Sequence, residues 1–139
     1  MKTKVFTSLP EEAKEIRQKV FIDEQGFTVE FDAKDEIAVH LVAFDENGTP
    51  SATCRIFKDG NKGCYVLGRL AVIKEYRGKK LGSYLISEAE RYVKQNGGNC
   101  IVLLAQQRVA DFYKKAGFKE FGGVEYDEGC PHIRMKKHI

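Results

Sequence analysis

The chain has no tryptophan, only three prolines, and four cysteines of which no two stand as C-x-x-C. Nor does it run apolar anywhere for the ~18 residues that a membrane-crossing helix needs. Each absence excludes something. Zinc ribbons and thioredoxin-like redox centres require paired cysteines, so Cys54, Cys64, Cys100 and Cys130 are expected to be free and mostly buried thiols, with no metal bound. No basic-then-apolar leader with a small-residue cleavage site opens the sequence, and together with free thiols this leads to the expectation of a cytoplasmic protein without membrane contact. Charge of one sign is missing too: 23 basic against 20 acidic residues leave a net +3. The only compact basic segment, Lys74 to Lys80, has few exposed aromatic residues beside it, so no nucleic acid is expected as a partner.

What is present describes a globular domain. A chain of 139 residues, 42% hydrophobic and 31% charged, is long enough for one core and too short for two, giving a single domain over residues 1–139. Lys2 to Phe6 is a short strand candidate. Ser8-Leu-Pro-Glu11 has the spacing of a capping box and starts a helix from Pro10 to about Asp23, with Ala13, Ile16 and Val20 inward and Glu11, Glu12, Lys14 and Arg17 outward. Gln25-Gly26 ends that helix. Phe27 to Glu36 is irregular and acidic; it reads as a solvated loop or, through Glu30, Asp32 and Asp35, as a lip that attracts a cationic amine. Ala38 to Phe44 and Ser51 to Phe57 are strands joined at Asn47-Gly48, a hairpin signal, and Asp59 to Gly63 turns the chain into a third.

The richest stretch is Val66 to Ile86. A β-prone run through Leu70, Ala71, Val72 and Ile73 leads to Arg77-Gly78-Lys79-Lys80-Leu81-Gly82, and an amphipathic helix follows from about Lys80 to Gln95. A helix start offers free N–H groups and the positive end of its dipole, and two glycines remove side chains that would keep a phosphate away from them. The residue chemistry is that of a phosphate or diphosphate cradle, although neither G-x-x-x-x-G-K-[ST] nor G-x-G-x-x-G can be read here. Asn96-Gly97-Gly98 stops the helix, and Cys100 to Ala105 is a wholly apolar strand, so the helix between two buried strands implies a parallel crossover. A short helix from Val109 to Ala116 ends at Gly117, and Phe118 to Phe121 and Ile133 to Lys137 are the last strands, separated by a glycine-rich acidic loop. The sum is an antiparallel meander merging into a β-α-β unit, an α+β sheet with helices on both faces. A ligand is expected beyond the carboxyl ends of the strands that end at Val72 and Ala105.

The turn resembles the acyl-CoA signature Q/R-x-x-G-x-G/A of the GNAT superfamily of N-acetyltransferases, with Arg77 and Gly82 at its first and last positions and Lys80 in place of the middle glycine. Phe112-Tyr-Lys-Lys-Ala-Gly-Phe118 is similar to the family's second hallmark, F-Y-x-x-x-G-F. Val20 to Gly26, Asp35 to Ala43, Leu104-Ala-Gln106 and Gly129 to Ile133 further resemble the ElaA/YjcF-like group of small bacterial members. The resemblance implies a mostly antiparallel, twisted mixed α/β sheet of six to seven strands with one parallel pair. It implies acetyl-CoA as cosubstrate, its pantetheine arm paired with the backbone of Leu70, Ala71 and Val72 and its pyrophosphate held by Arg77, Gly78, Lys79, Lys80, Leu81 and Gly82. Lys80 is expected to be right-handed and helical, its side chain directed outward to a phosphate. Gln106 is either a helix cap or a pantetheine contact, and Tyr113 is either the acid beside the sulfur or a core-edge aromatic on its short helix. His40 reads as a core histidine, and His132 as a candidate for the acceptor side. The activity implied is transfer of acetyl to a primary amine of a small molecule or peptide by direct attack; a CoA-binding sensor without turnover is the alternative. Edge strands near the C-terminal end admit a homodimer.

Overall fold

A computed structural model describes residues 1–28, 31–60 and 63–139. In chain order its elements are β1 (Lys2–Phe6), α1 (Glu11–Arg17), a π-helical segment (Gln18–Glu24), α2 (Lys34–Ile37), β2 (Val39–Phe44), β3 (Pro50–Lys58) and β4 (Cys64–Val72). A 3-10 turn (Lys74–Tyr76), α3 (Leu81–Gln95), β5 (Cys100–Gln106), a second 3-10 turn (Gln107–Val109), α4 (Ala110–Lys115), β6 (Lys119–Asp127) and β7 (Cys130–His138) follow. The strands hydrogen-bond in the order β1-β2-β3-β4-β5-β7-β6, a seven-stranded mixed sheet in which β4 and β5 run parallel. Residues 1–57 and 67–89 form one compact unit, and residues 58–66 and 90–139 a second.

In the first unit β1 and β3 flank β2 antiparallel, Val5 opposite Leu41 and Leu41 opposite Cys54. The β2–β3 turn is held by Asp45, whose carboxylate accepts from the amides of Asn47 and Thr49, while Gly48 supplies a positive φ of 79°. Ala13, Ile16 and Val20 pack on Val42, Phe44, Ala71 and Ile73 as the spacing predicts, each large aliphatic contributing roughly 1.5–3 kcal/mol of burial. The capping box is not formed. Pro10 is the N-cap, its carbonyl accepting from the Lys14 amide at 3.1 Å, and no side chain caps the helix. Leu9 packs against the core cluster, so the chain enters the helix from that anchor and Ser8 lies too far back to reach the first amides. Past Arg17 the helix widens: the Gln25 amide bonds the Val20 carbonyl five residues back, at 3.2 Å. Such segments are rare and concentrate at functional sites.

In the second unit the β4–β5 register pairs Cys64 with Cys100, Tyr65 with Ile101 and Val66 with Val102. Cys64 and Cys100 form a disulfide, which corrects the expectation of four free thiols. They lie at the starts of neighbouring strands and in direct register, a proximity that their spacing in the chain conceals. Cys54, buried, and Cys130, half-buried, stay free. The stop after α3 is a Schellman motif: the Gly97 amide bonds Lys94 and the Gly98 amide bonds Val93. A Cβ on Gly98 would stand 2.5 Å from Val93 and 2.7 Å from Tyr65, so glycine is needed there for space as well. The expected loop between the last two strands is mostly strand. Glu128 and Gly129, both at positive φ, make a two-residue turn, and Gly122-Gly123 form a bulge in β6. Asn61 and Lys62 of the predicted turn before β4, and Glu30 of the acidic stretch, lie outside the described residues. Among the described residues no helix is long and apolar enough to cross a membrane.

Candidate active site

The basic turn stands where the sequence puts it, in the first unit between β4 and α3. Gly78 has φ 80° and nothing within 4 Å of where a Cβ would be. Lys80 has φ 61°, which corrects the expectation of a right-handed residue: it adopts the left-handed conformation that suits glycine, at a cost of roughly 1–2 kcal/mol for a residue with a Cβ. The departure from the motif is therefore a side chain carried on a glycine backbone. The turn ends where α3 begins. The Tyr84 amide donates to the Lys80 carbonyl at 3.0 Å, and the amides of Leu81, Gly82 and Ser83, which precede it, have no acceptor four residues back within the helix. No acidic residue occupies the first turn of α3, and Lys79 and Lys80 are exposed beside it, with the Lys79 ammonium 5.5 Å from the Tyr76 ring centre. Open amides, a helix dipole, a glycine without a side chain and two cations form a donor set suited to a diphosphate.

Arg77 does something other than add charge. Its Nη1 and Nη2 donate to both carboxylate oxygens of Glu24 at 2.9 and 2.8 Å, and its Nε donates to the Val72 carbonyl at 3.1 Å. The guanidinium is neutralised and braced. Upstream, Arg69 has φ 52°, a left-handed residue inside β4 that redirects the strand just before Leu70, Ala71 and Val72. A strained strand residue next to a proposed ligand-pairing segment is the kind of distortion that clusters at functional sites. The Ile73 amide bonds the Ser51 carbonyl at 3.0 Å and holds the end of this segment on β3.

Of the acidic stretch, Asp32 and Asp35 are not free carboxylates, while Glu36 is exposed. Arg17, expected outside, is buried and forks onto Asp35 at 2.8 and 3.0 Å; Arg55 donates to Asp35 at 3.0 Å and to both oxygens of Asp32 at 2.6 and 3.1 Å; Arg69 reaches Asp32 at 3.2 Å. Burial pushes the Asp35 carboxyl up, but hydrogen bonds from Arg17, the Asp32 amide and Arg55 outweigh it, and it stands at about 2. The hydrogen bond from Arg55 likewise lowers Asp32. His40 is a core histidine: its buried Nε2 donates to the Asp35 carbonyl at 3.0 Å, and desolvation lowers its pKa. The sequence carried no signal for this network, because aspartates in one loop and arginines on a helix and two strands meet only after folding.

The second unit holds the other named residues. Tyr113 is a half-buried residue of α4, edge-to-face with Phe112 at 5.0 Å and with Phe118 at 6.0 Å between centroids. The spacing F-Y-x-x-x-G-F has a local cause. The Gly117 amide bonds Lys114 and the Phe118 amide bonds Tyr113, a Schellman motif whose apolar contact is the Tyr113–Phe118 ring pair. Gln106 ends β5 and is the N-cap of the following 3-10 turn, with no capping hydrogen bond from its side chain. The buried His132 donates from Nδ1 to the Cys130 carbonyl at 2.9 Å.

The family model for the acetyltransferase (GNAT) domain matches residues 7–139. The chain belongs to the GNAT acetyltransferase family. This GNAT protein is 30% identical over 125 residues to the "uncharacterized N-acetyltransferase YjcF" of Bacillus subtilis, covering 88% of this chain and 87% of that one. It superposes on the crystal structure of Escherichia coli ElaA with a TM-score of 0.86 and 25% identity, covering 98% of each chain. An aminoglycoside 6′-N-acetyltransferase crystallised with coenzyme A matches with a TM-score of 0.77 over 99% of this chain and 97% of its own; at 17% identity that likeness is one of fold. As a GNAT member the protein is an acyltransferase, of a family that acetylates amine acceptors.

Proposed function

We propose that this GNAT domain, residues 1–139, moves acetyl from acetyl-CoA to a primary amine by direct attack. The observation that carries the reading is the left-handed turn at Gly78 and Lys80 opening into an α3 N-terminus with no acidic residue in its first turn. The amides of Gly78 to Gly82, with Lys79 and Lys80, would hold the pyrophosphate, and the backbone of Leu70, Ala71 and Val72 the pantetheine. The acceptor amine, deprotonated, attacks the thioester carbonyl carbon; the C–S bond breaks and a C–N bond forms. A backbone amide near Leu70 is the proposed donor to the developing oxyanion, and Tyr113 the proposed acid that returns a proton to the thiolate. No acyl-enzyme is invoked. Cys54 is buried, and desolvation raises its thiol well above the ordinary range, so Cys54 offers no thiolate as a nucleophile.

The test is acetyl-CoA with a panel of primary amines, reading free CoA thiol. Amine-dependent thiol release, lost in Gly82→Asp, is the expected result. A carboxylate at that position would face the diphosphate. CoA binding without release for any amine would replace the enzyme by a CoA sensor, and undiminished CoA affinity in a folded Gly82→Asp would remove the pyrophosphate from this turn.

A further inference from the structure

The ion pair between Glu24 and Arg77 joins two segments 53 residues apart: the last residue of the π-helical segment and the first of the basic turn. Both carboxylate oxygens and both terminal guanidinium nitrogens take part, and the remaining Nε–H of Arg77 closes onto the carbonyl of Val72, the last residue of β4. One guanidinium therefore fixes three things at once, the strand end, the turn and the end of the widened helix. The widening matters because i→i+5 bonding takes more residues per turn than an α-helix, so Glu24 ends in a direction that an unbroken continuation of α1 would not give it. Bidentate guanidinium–carboxylate contacts are among the most directional in proteins. A turn containing a left-handed lysine needs such bracing, since Lys80 by itself prefers another backbone conformation.

We infer that Glu24 is a positioning residue for cofactor binding: it locks Arg77 as a strut between β4 and the turn, and so holds the amides of Gly78 to Gly82 in the arrangement that accepts a diphosphate. This rests on the reading of that turn as the pyrophosphate site. Arg77 then contributes through Glu24 and Val72, and the cations offered to the phosphates are Lys79 and Lys80. The opposite arrangement is physically distinct: Glu24 could hold back a guanidinium that would otherwise bind phosphate, and its removal would then strengthen binding.

The experiment is calorimetric titration of the full chain with CoA for the parent, Glu24→Gln, Arg77→Ala, the double variant and Gly82→Asp, with the thermal midpoint of each ligand-free protein. Glu24→Gln keeps size and polarity but loses the fork, and is expected to weaken CoA binding on the order of fivefold with an unchanged thermal midpoint. The double variant should bind CoA no more weakly than Arg77→Ala alone, because one clamp can be broken only once. A merely structural role would lower the midpoint, and independent contributions would multiply. If Glu24→Gln binds CoA as tightly as the parent or more tightly while Gly82→Asp has lost it, the clamp is overturned and the turn reading stands. If Gly82→Asp also binds like the parent, the turn reading falls with it.

Discussion

Lys80 is the residue where local and functional demands disagree most openly. Its φ of 61° is a glycine's, and its ammonium lies exposed at the start of α3. Lys80→Gly should therefore raise stability by about 1 kcal/mol through relief of the left-handed conformation, measured by denaturant unfolding. The same change should weaken CoA binding by about 1 kcal/mol or less, the worth of one partly exposed charge contact, measured by calorimetry. A gain in affinity would make the side chain an obstruction at the turn. Tyr113 poses a different residue-scale question, since its ring is fixed by Phe112 and Phe118 and its hydroxyl is what the chemistry would use. Tyr113→Phe keeps the ring pair and removes the proton donor. It should lower kcat at least about tenfold with little change in CoA affinity. Full kcat would assign the proton to another group, and lost CoA binding would make Tyr113 a positioning residue.

At the scale of elements, the parallel pair β4–β5 is stapled at its first register by Cys64 and Cys100, which close a loop 36 residues apart in sequence. Restricting the unfolded chain by such a loop is worth about 4 kcal/mol in the chain-entropy account. Replacing both cysteines by serine should lower stability by about 3–4 kcal/mol, and reductant should do the same to the parent but not to the variant; equal midpoints with and without reductant would show that the bond does not form in solution. The helices end by devices that are themselves local. Gly97-Gly98 and Gly117-Phe118 both close Schellman motifs, which explains why their stops were readable from the residues. The start of α1 escapes a local reading for the converse reason: Leu9 packs against the core cluster, and the helix begins after Pro10 with no side-chain cap from Ser8.

Across the whole molecule, acid stability should be governed by the buried carboxylate of Asp35, which ties α1, α2 and β3 through Arg17 and Arg55. Its folded pKa of about 2 lies below the ~3.9 of an unfolded aspartate, so the unfolded state binds the proton first. The stabilisation is complete above about pH 4 and is lost as pH falls toward 2, a contribution on the order of 2 kcal/mol. Asp35→Asn should flatten that part of the stability-against-pH curve. It should also destabilise at neutral pH by about 3–5 kcal/mol, because two buried guanidiniums lose a counter-charge. A variant as stable as the parent at pH 7, with the same acid limb, would sink this account.

The sequence by itself determined the order of the strands and of every helix but α2, the basic glycine turn, the inward stripe of α1 and the glycine stops. These depend on interactions within a few residues, or on periodicities that any core must satisfy. The second family hallmark was legible for the same reason, its geometry being closed by the Gly117 and Phe118 amides on the Lys114 and Tyr113 carbonyls. Tertiary structure alone decided that Cys64 meets Cys100, that Arg17 turns inward to Asp35, that Lys80 is left-handed, and that Arg77 serves Glu24 and the Val72 carbonyl instead of solvent. Charged side chains and thiols carry no periodicity that names their partners; which of them pair is set by strand register and by the direction in which a widened helix ends.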